Sequence, residues 1–161
     1  MSFREKMIPW AKLTAWRDAI RTKALRLVVT NGCFDILHLG HVTYLESARQ
    51  QGDLLLVGIN SDSSVKELKG AGRPVNSDKD RAAVIAALGC VDAVCIFDDR
   101  SALNFLTAAQ PDIWIKGGDY TIESVNQDER SAVEKNGGKV VILPLVPGKS
   151  TTTLLEKISQ L

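Results

Sequence analysis

The chain has 161 residues, 45% of them hydrophobic, with 20 Lys+Arg against 19 Asp+Glu, three cysteines and two histidines. That length predicts one domain, large enough to bury roughly 68–70% of the surface its unfolded chain would expose without a disulfide or metal staple. A net charge of +1 argues against an electrostatically driven nucleic-acid binder. No run approaches the roughly 18 apolar residues of a membrane span, and Met1 to Lys12 carries no signal-like apolar core. Cys33, Cys90 and Cys95 are odd in number and form no CxxC pair, so a reduced, cytoplasmic setting is expected.

Trp10, Leu13, Trp16, Ala19 and Ile20 recur at three- and four-residue spacing, which predicts an N-terminal helical segment within residues 1–24 that packs on the rest. Leu25 to Thr30 reads as a strand ended by the turn signal Asn31-Gly32. A helix over His41 to Gln51 and a strand over Leu54 to Ile59 follow. Asn60-Ser61-Asp62 caps a short helix to Leu68, Gly70 to Pro74 is a loop, and Asp78 to Leu88 is helical. The rhythm repeats with a strand at Ala93 to Phe97, a helix at Ser101 to Ala109 and a strand at Ile113 to Lys116. A Gly-Gly turn then leads to a helix near Asn126 to Asn136, and a last strand spans Val140 to Leu143. Ser150 caps the C-terminal helix. Apolar strands alternating with helices predict an α/β fold: a single doubly wound, Rossmann-like parallel sheet of about five strands with helices on both faces. Ligands in such sheets sit at the carboxyl ends of the strands, at the switch in strand order. The loops after Thr30, Lys116 and Leu143 are therefore the places to look.

Two phosphate-loop look-alikes fail on spacing. Gly148-Lys149-Ser150 lacks the glycine a P-loop needs five positions earlier, where Leu143 stands. Gly70-Ala71-Gly72 has Val75 in place of the third glycine of a dinucleotide fingerprint, and no strand precedes it. Cys33 reads as a small buried thiol rather than a nucleophile, because the only activating histidines are committed elsewhere.

The informative stretch runs from Thr30 to His41. It leaves the first strand, turns at Gly32 and enters a helix near Gly40. His38 and His41 are three apart, so at a helix start both imidazoles lie on one side. Gly40 between them lets a phosphate approach the backbone, and the helix N-terminus offers free N–H groups and positive dipole. Two imidazole N–H donors there suit charge developing on a transferring phosphoryl group. Zinc is disfavoured, since two histidines supply only two ligands and Asp35 points to no set of four.

His38-Leu39-Gly40-His41 matches the HxGH signature of the nucleotidylyltransferase superfamily, which includes the cytidylyltransferases. Gly58 to Val65, Leu68-Lys69-Gly70 with Arg73-Pro74-Val75, Val91-Asp92, Pro111-Asp112, Lys116 to Tyr120 and Ser150-Thr151-Thr152 follow in order. Together they resemble the adenylyltransferase domain of ADP-heptose synthase, over about Trp10 to Ile158. The resemblance implies attack by D-glycero-β-D-manno-heptose 1-phosphate on the α-phosphorus of ATP, with release of pyrophosphate. It implies Mg²⁺ carried mainly on the phosphates, a homodimer, and no nucleic-acid or membrane partner. A sugar kinase fused in many relatives does not fit in 161 residues, so a separate heptose kinase and phosphatase are expected.

On that resemblance His38, His41, Lys66 and Arg81 are the expected catalytic groups. Arg81 reads as a phosphate ligand or, alternatively, a surface salt bridge; Lys66 is alternatively a solvated surface lysine. Asn31, Gly32, Cys33, Phe34, Gly40, Lys116, Gly118, Asp119, Ser150, Thr151 and Thr152 would bind the nucleotide. Asn60, Asp62, Lys69 and Arg73 would bind the sugar phosphate, with a helix cap as the alternative for Asp62. The cytidylyltransferase motif carries an arginine shortly before Ser-Thr-Thr, whereas this chain has Leu145 to Lys149, which weakens CTP. Two other readings stand: a cytidylyltransferase for glycerol 3-phosphate or a similar alcohol phosphate, and a non-catalytic nucleotide-binding protein.

Overall fold

The computed structural model describes residues 1–118 and 120–161. Its helices are α1 Leu13–Thr22, α2 Leu39–Arg49, α3 Asp62–Lys69, α4 Asp78–Ala86, α5 Leu103–Ala109, α6 Gln127–Lys135 and α7 Thr151–Ser159. Its strands are β1 Leu27–Gly32, β2 Leu54–Asn60, β3 Ala93–Phe97, β4 Ile113–Gly117 and β5 Lys139–Leu143. All pair in parallel, in the order β3-β2-β1-β4-β5. This is the expected doubly wound α/β sheet, and its order reverses between β1 and β4.

Alternation along the strands divides the core. Val28, Leu55, Val57 and Ile115 face Leu45 and Ala48 of α2 and Ile85 of α4. Leu27, Val29, Leu56 and Trp114 face the other way, onto Leu13 and Ile20 of α1, Phe105 and Leu106 of α5 and Val133 of α6. Both faces of the sheet are thus covered, as a parallel sheet requires.

The seam between β1 and β4 opens toward the carboxyl ends. β1 pairs with β2 over six residues, up to Gly32↔Ile59, but with β4 only at Val28↔Ile113 and Val29↔Trp114. Side chains take over where that ladder stops. The hydroxyls of Thr30 and Tyr44 lie 2.7 Å apart, and both reach the Ile115 carbonyl, at 3.1 and 3.2 Å. The Trp114 indole donates to Asn31 Oδ1 at 3.0 Å. These bonds satisfy the backbone and polar groups exposed by the parting strands.

Several expected boundaries move by one or two residues: α2 begins at Leu39 rather than His41, and α4 ends at Ala86 rather than Leu88. β1 runs from Leu27 to Gly32 rather than Leu25 to Thr30, because pairing with Gly58 and Ile59 carries the Asn31-Gly32 backbone onward as strand. The ladder overrides the local turn preference. At the far edge, a bridge from Met7 to Val94 and a 2.8 Å bond from the Ile8 N–H to the Val94 carbonyl cover β3. Among the described residues no helix is long and apolar enough to cross a membrane.

Candidate active site

A cavity of about 670 Å³ opens over the carboxyl ends of the strands at the β1/β4 seam. The expected loops after β1, β4 and β5 all line it, and Asn60 adds the end of β2. His38 is the N-cap of α2 in extended backbone, φ −142° and ψ 169°, and His41 lies within its first turn. The two imidazoles stack with centroids 3.8 Å apart and planes 23° from parallel. Phe34 tilts against His41 at 5.2 Å from a left-handed backbone, φ 45°, so the turn is held by packing rather than by residue preference. Gly40 sits in a close approach. A Cβ there would lie 3.0 Å from the His38 ring and 3.2 Å from Lys149 Cβ.

Both Nδ1 atoms of the pair are buried and lack a hydrogen-bond partner among the described residues. Burial first, then the neighbouring His38, lowers the His41 pKa from 6.5 to about 4. Burial first, then Lys149, lowers that of His38. Near neutral pH the pair is therefore uncharged, and each ring holds one N–H to donate. Unsatisfied buried donors are rare because they cost the desolvation they fail to recover. Both residues also line the cavity, where an imidazole N–H can donate to an anion.

A second helix start meets the first. Ser150 caps α7, accepting from the Thr153 N–H at 3.1 Å, and Ser150, Thr151 and Thr152 all line the cavity beside Lys149. Two helix N-termini and a lysine therefore converge on the histidine end, a strong preference for negative charge.

Two charged groups, Asp35 and Arg81, tie together the chain segments around the site. Asp35 is buried. It accepts from Arg73 Nε at 2.6 Å, from the Val75 N–H at 2.9 Å and from the Asn76 N–H at 3.0 Å. Burial alone would raise its pKa, yet the Asn76 and Val75 amides and the Arg73 guanidinium overcome this and hold the carboxyl below its ordinary value. One carboxylate thereby ties the loop carrying Arg73 to the histidine turn.

Arg81 is 2% exposed. It donates to the carbonyls of Asn76, Cys33 and Asn60 at 3.0, 2.6 and 2.8 Å, and to Asp62 at 2.8 Å. It does not line the cavity; its guanidinium, ion-paired with the half-exposed Asp62, ties together the chain at Cys33, Asn60 and Asn76. Asp62, its partner, is likewise turned from the cavity lining, and the helix cap belongs to Ser61. Lys66 is exposed on α3 and does not line the cavity, whereas Lys69, Arg73 and Asn60 do.

At the end of β4, Lys116 spreads its ammonium over Trp114 and Tyr120, 5.4 and 4.7 Å from the ring centroids. Burial lowers its pKa, opposed by the charge of Glu129. Gly117 lines the cavity in place of Gly118, which takes φ +89° to turn the chain; Asp119 lies outside the described residues. Asn31, Gly32, Cys33 and Phe34 line the cavity as expected. The Cys33 thiol is pushed up by burial against the pull of Lys69, Arg81 and Arg73, which keeps it a thiol rather than a nucleophile. Glu129, also on the lining, is a residue the sequence reading missed, since a glutamate in the first turn of a helix looks like an ordinary solvated one. Among the described residues no three His, Cys, Asp or Glu side chains converge as metal ligands.

Comparison with known proteins fits this geometry. The family model described as cytidylyltransferase-like matches residues 29–156. The chain is 53% identical over 91% of its length to the "Bifunctional protein HldE" of Geotalea uraniireducens (strain Rf4). It is 54% identical over 82% of its length to the protein of that name from Koribacter versatilis (strain Ellin345). It spans 29% and 27% of the length of those two relatives. The crystal structure of the lipopolysaccharide core biosynthesis protein from Thermoplasma volcanium GSS1 superposes with a TM-score of 0.62 at 30% identity. That match covers 76% of this chain and 97% of the other. The chain belongs to the cytidylyltransferase-like family of nucleotidyltransferases.

Proposed function

We propose that the protein transfers AMP from ATP to D-glycero-β-D-manno-heptose 1-phosphate, giving ADP-heptose and pyrophosphate. The observation that carries the reading is the stacked His38–His41 pair, its two buried Nδ1 atoms unpartnered where the starts of α2 and α7 meet. The lipopolysaccharide core biosynthesis for which the structural neighbour is named supports the sugar substrate.

The triphosphate lies across the histidine pair and the α7 start, with Lys149 beside it. An oxygen of the acceptor phosphate attacks the α-phosphorus, the bond to the bridging oxygen breaks, and pyrophosphate leaves with the electron pair. The protein supplies position and charge stabilisation rather than covalent chemistry. His38 and His41 donate to the phosphoryl oxygens as charge grows on them, Lys116 holds the nucleotide at the end of β4, and Lys69 and Arg73 draw in the acceptor phosphate from the loop held by Asp35. Arg81 acts as a positioning residue through the carbonyls of Cys33 and Asn60. Mg²⁺ enters with the triphosphate as part of the substrate and neutralises its charge.

Pyrophosphate release, measured with ATP or CTP against sugar and alcohol phosphates, tests the reading. ATP with heptose 1-phosphate is the expected pair. Turnover with CTP and glycerol 3-phosphate would replace it with an alcohol-phosphate cytidylyltransferase, and no turnover with any pair would leave a nucleotide-binding protein. His41→Ala is expected to lower kcat by about 10²–10³ with the fold retained; near-normal rates would remove the histidines from the mechanism.

A further inference from the structure

The end of the cavity away from the histidines has a different chemistry. Glu129 is 7% exposed and lines this end together with Asn126, Arg100 and Ala102. Its Oε1 accepts from Ser101 Oγ at 2.9 Å and from the Ala102 N–H at 2.8 Å, pinning the start of α5 to α6. Its Oε2 has no recorded hydrogen bond among the described residues, and the residue lines the cavity. Asn126 spends its Oδ1 on the N–H groups of Asp128 and Glu129, at 3.0 and 3.1 Å, which leaves its amide N–H₂ to donate.

A carboxylate oxygen turned into a cavity otherwise built for anions repels phosphate and requires a donor. The donors compatible with a phosphorylated small molecule are hydroxyl groups, and the neighbouring Asn126 amide and Arg100 guanidinium offer donors to the oxygens of the same hydroxyls. Pinning α5 uses Oε1 alone, and the Lys116 ammonium, whose charge Glu129 favours, makes no recorded hydrogen bond or ion pair with Oε2 among the described residues.

We propose that Glu129 is a specificity-determining residue that reads the hydroxyls of the acceptor, selecting a polyhydroxylated sugar phosphate over a short alcohol phosphate, with Asn126 and Arg100 completing the subsite. This rests on the proposed function, in which the acceptor is a sugar phosphate, and it adds which side chain recognises the sugar.

Glu129→Gln separates the two tasks. The amide oxygen keeps the bonds to Ser101 and Ala102, while Oε2 becomes an uncharged donor. Isothermal titration of wild type and variant with heptose 1-phosphate, glycerol 3-phosphate and inorganic phosphate, with and without a non-hydrolysable ATP analogue, provides the test. The variant is expected to bind heptose 1-phosphate about 10- to 100-fold more weakly, the range for losing a hydrogen bond to a charged group. Inorganic phosphate and the ATP analogue should bind at least as tightly as before, since a repelling charge is removed, and Tm should not move. Equal weakening of all ligands, unchanged heptose 1-phosphate binding, or a wild type that does not prefer the sugar phosphate to inorganic phosphate would each overturn the proposal. Because the readout is binding, failure to release pyrophosphate would strike the proposed reaction and leave this test standing.

Discussion

His41 places a titratable group where water is scarce, and its value near 4 has a definite thermodynamic sign. The unfolded chain binds a proton at His41 below about pH 6.5, whereas the folded chain resists until about pH 4. Across that window the unfolded state holds more protons, so stability rises with pH and is lost as pH falls from 6.5 toward 4. His38, also lowered, adds in the same direction. The lowered Asp35 carboxyl is lost only at still lower pH, below its ordinary carboxylate range. Urea unfolding between pH 7.5 and 4 should show this decline, and His41→Ala should flatten it; an equal slope in both proteins would mean that the histidine is not held neutral by the fold. The histidines themselves are legible from residue type and spacing, since Gly40 and a strand-to-helix turn surround the only two in the chain. Asp35 and Glu129 are not, and Arg81 stands out by type but not by its bonding, because their partners lie 41, 28 and 48 positions away. Nothing local distinguishes a glutamate that closes a cavity from one that faces solvent.

Among the connecting elements, the loop from Gly70 to Asn76 depends most on a single anchor. It has no ladder of its own, and three of its ordering bonds end on Asp35. Asp35→Ala removes a fully buried carboxylate and strands those donors, at an expected cost of about 2–4 kcal/mol. Hydrogen exchange should rise across residues 70–76 while β1 and β2 stay protected; uniform loss across the sheet would show that Asp35 supports the whole fold instead. Elements with a strong internal pattern are readable in advance: β3 falls at Ala93–Phe97 and Ser150 caps α7, as the apolar run and the hydroxyl cluster suggest. The exceptions are set by tertiary pairing. β1 advances by two residues because β2 offers it partners, and the 3₁₀ turn at Phe3–Lys6, capped by Ser2 and Glu5, carries too little apolar periodicity to stand out.

Across the whole molecule, the reversal of strand order does more than open a cavity. α2 packs on one face of the sheet and α5 and α6 on the other, while the cavity joins the start of α2 to the start of α6 across the seam where β1 and β4 part. On the proposed reaction, the triphosphate is held from the first face and the acceptor from the second. The entering oxygen and the departing pyrophosphate then occupy opposite sides of the α-phosphorus, and no thiolate stands between them to take the nucleotidyl group. A single in-line displacement follows, and it leaves a stereochemical record. ATP carrying sulfur at one prochiral α-oxygen should give ADP-heptose of inverted configuration at phosphorus, read by ³¹P NMR of the thio-substituted product. Retention would demand two successive displacements through a side chain, which a sheet parted at this seam is not arranged to supply.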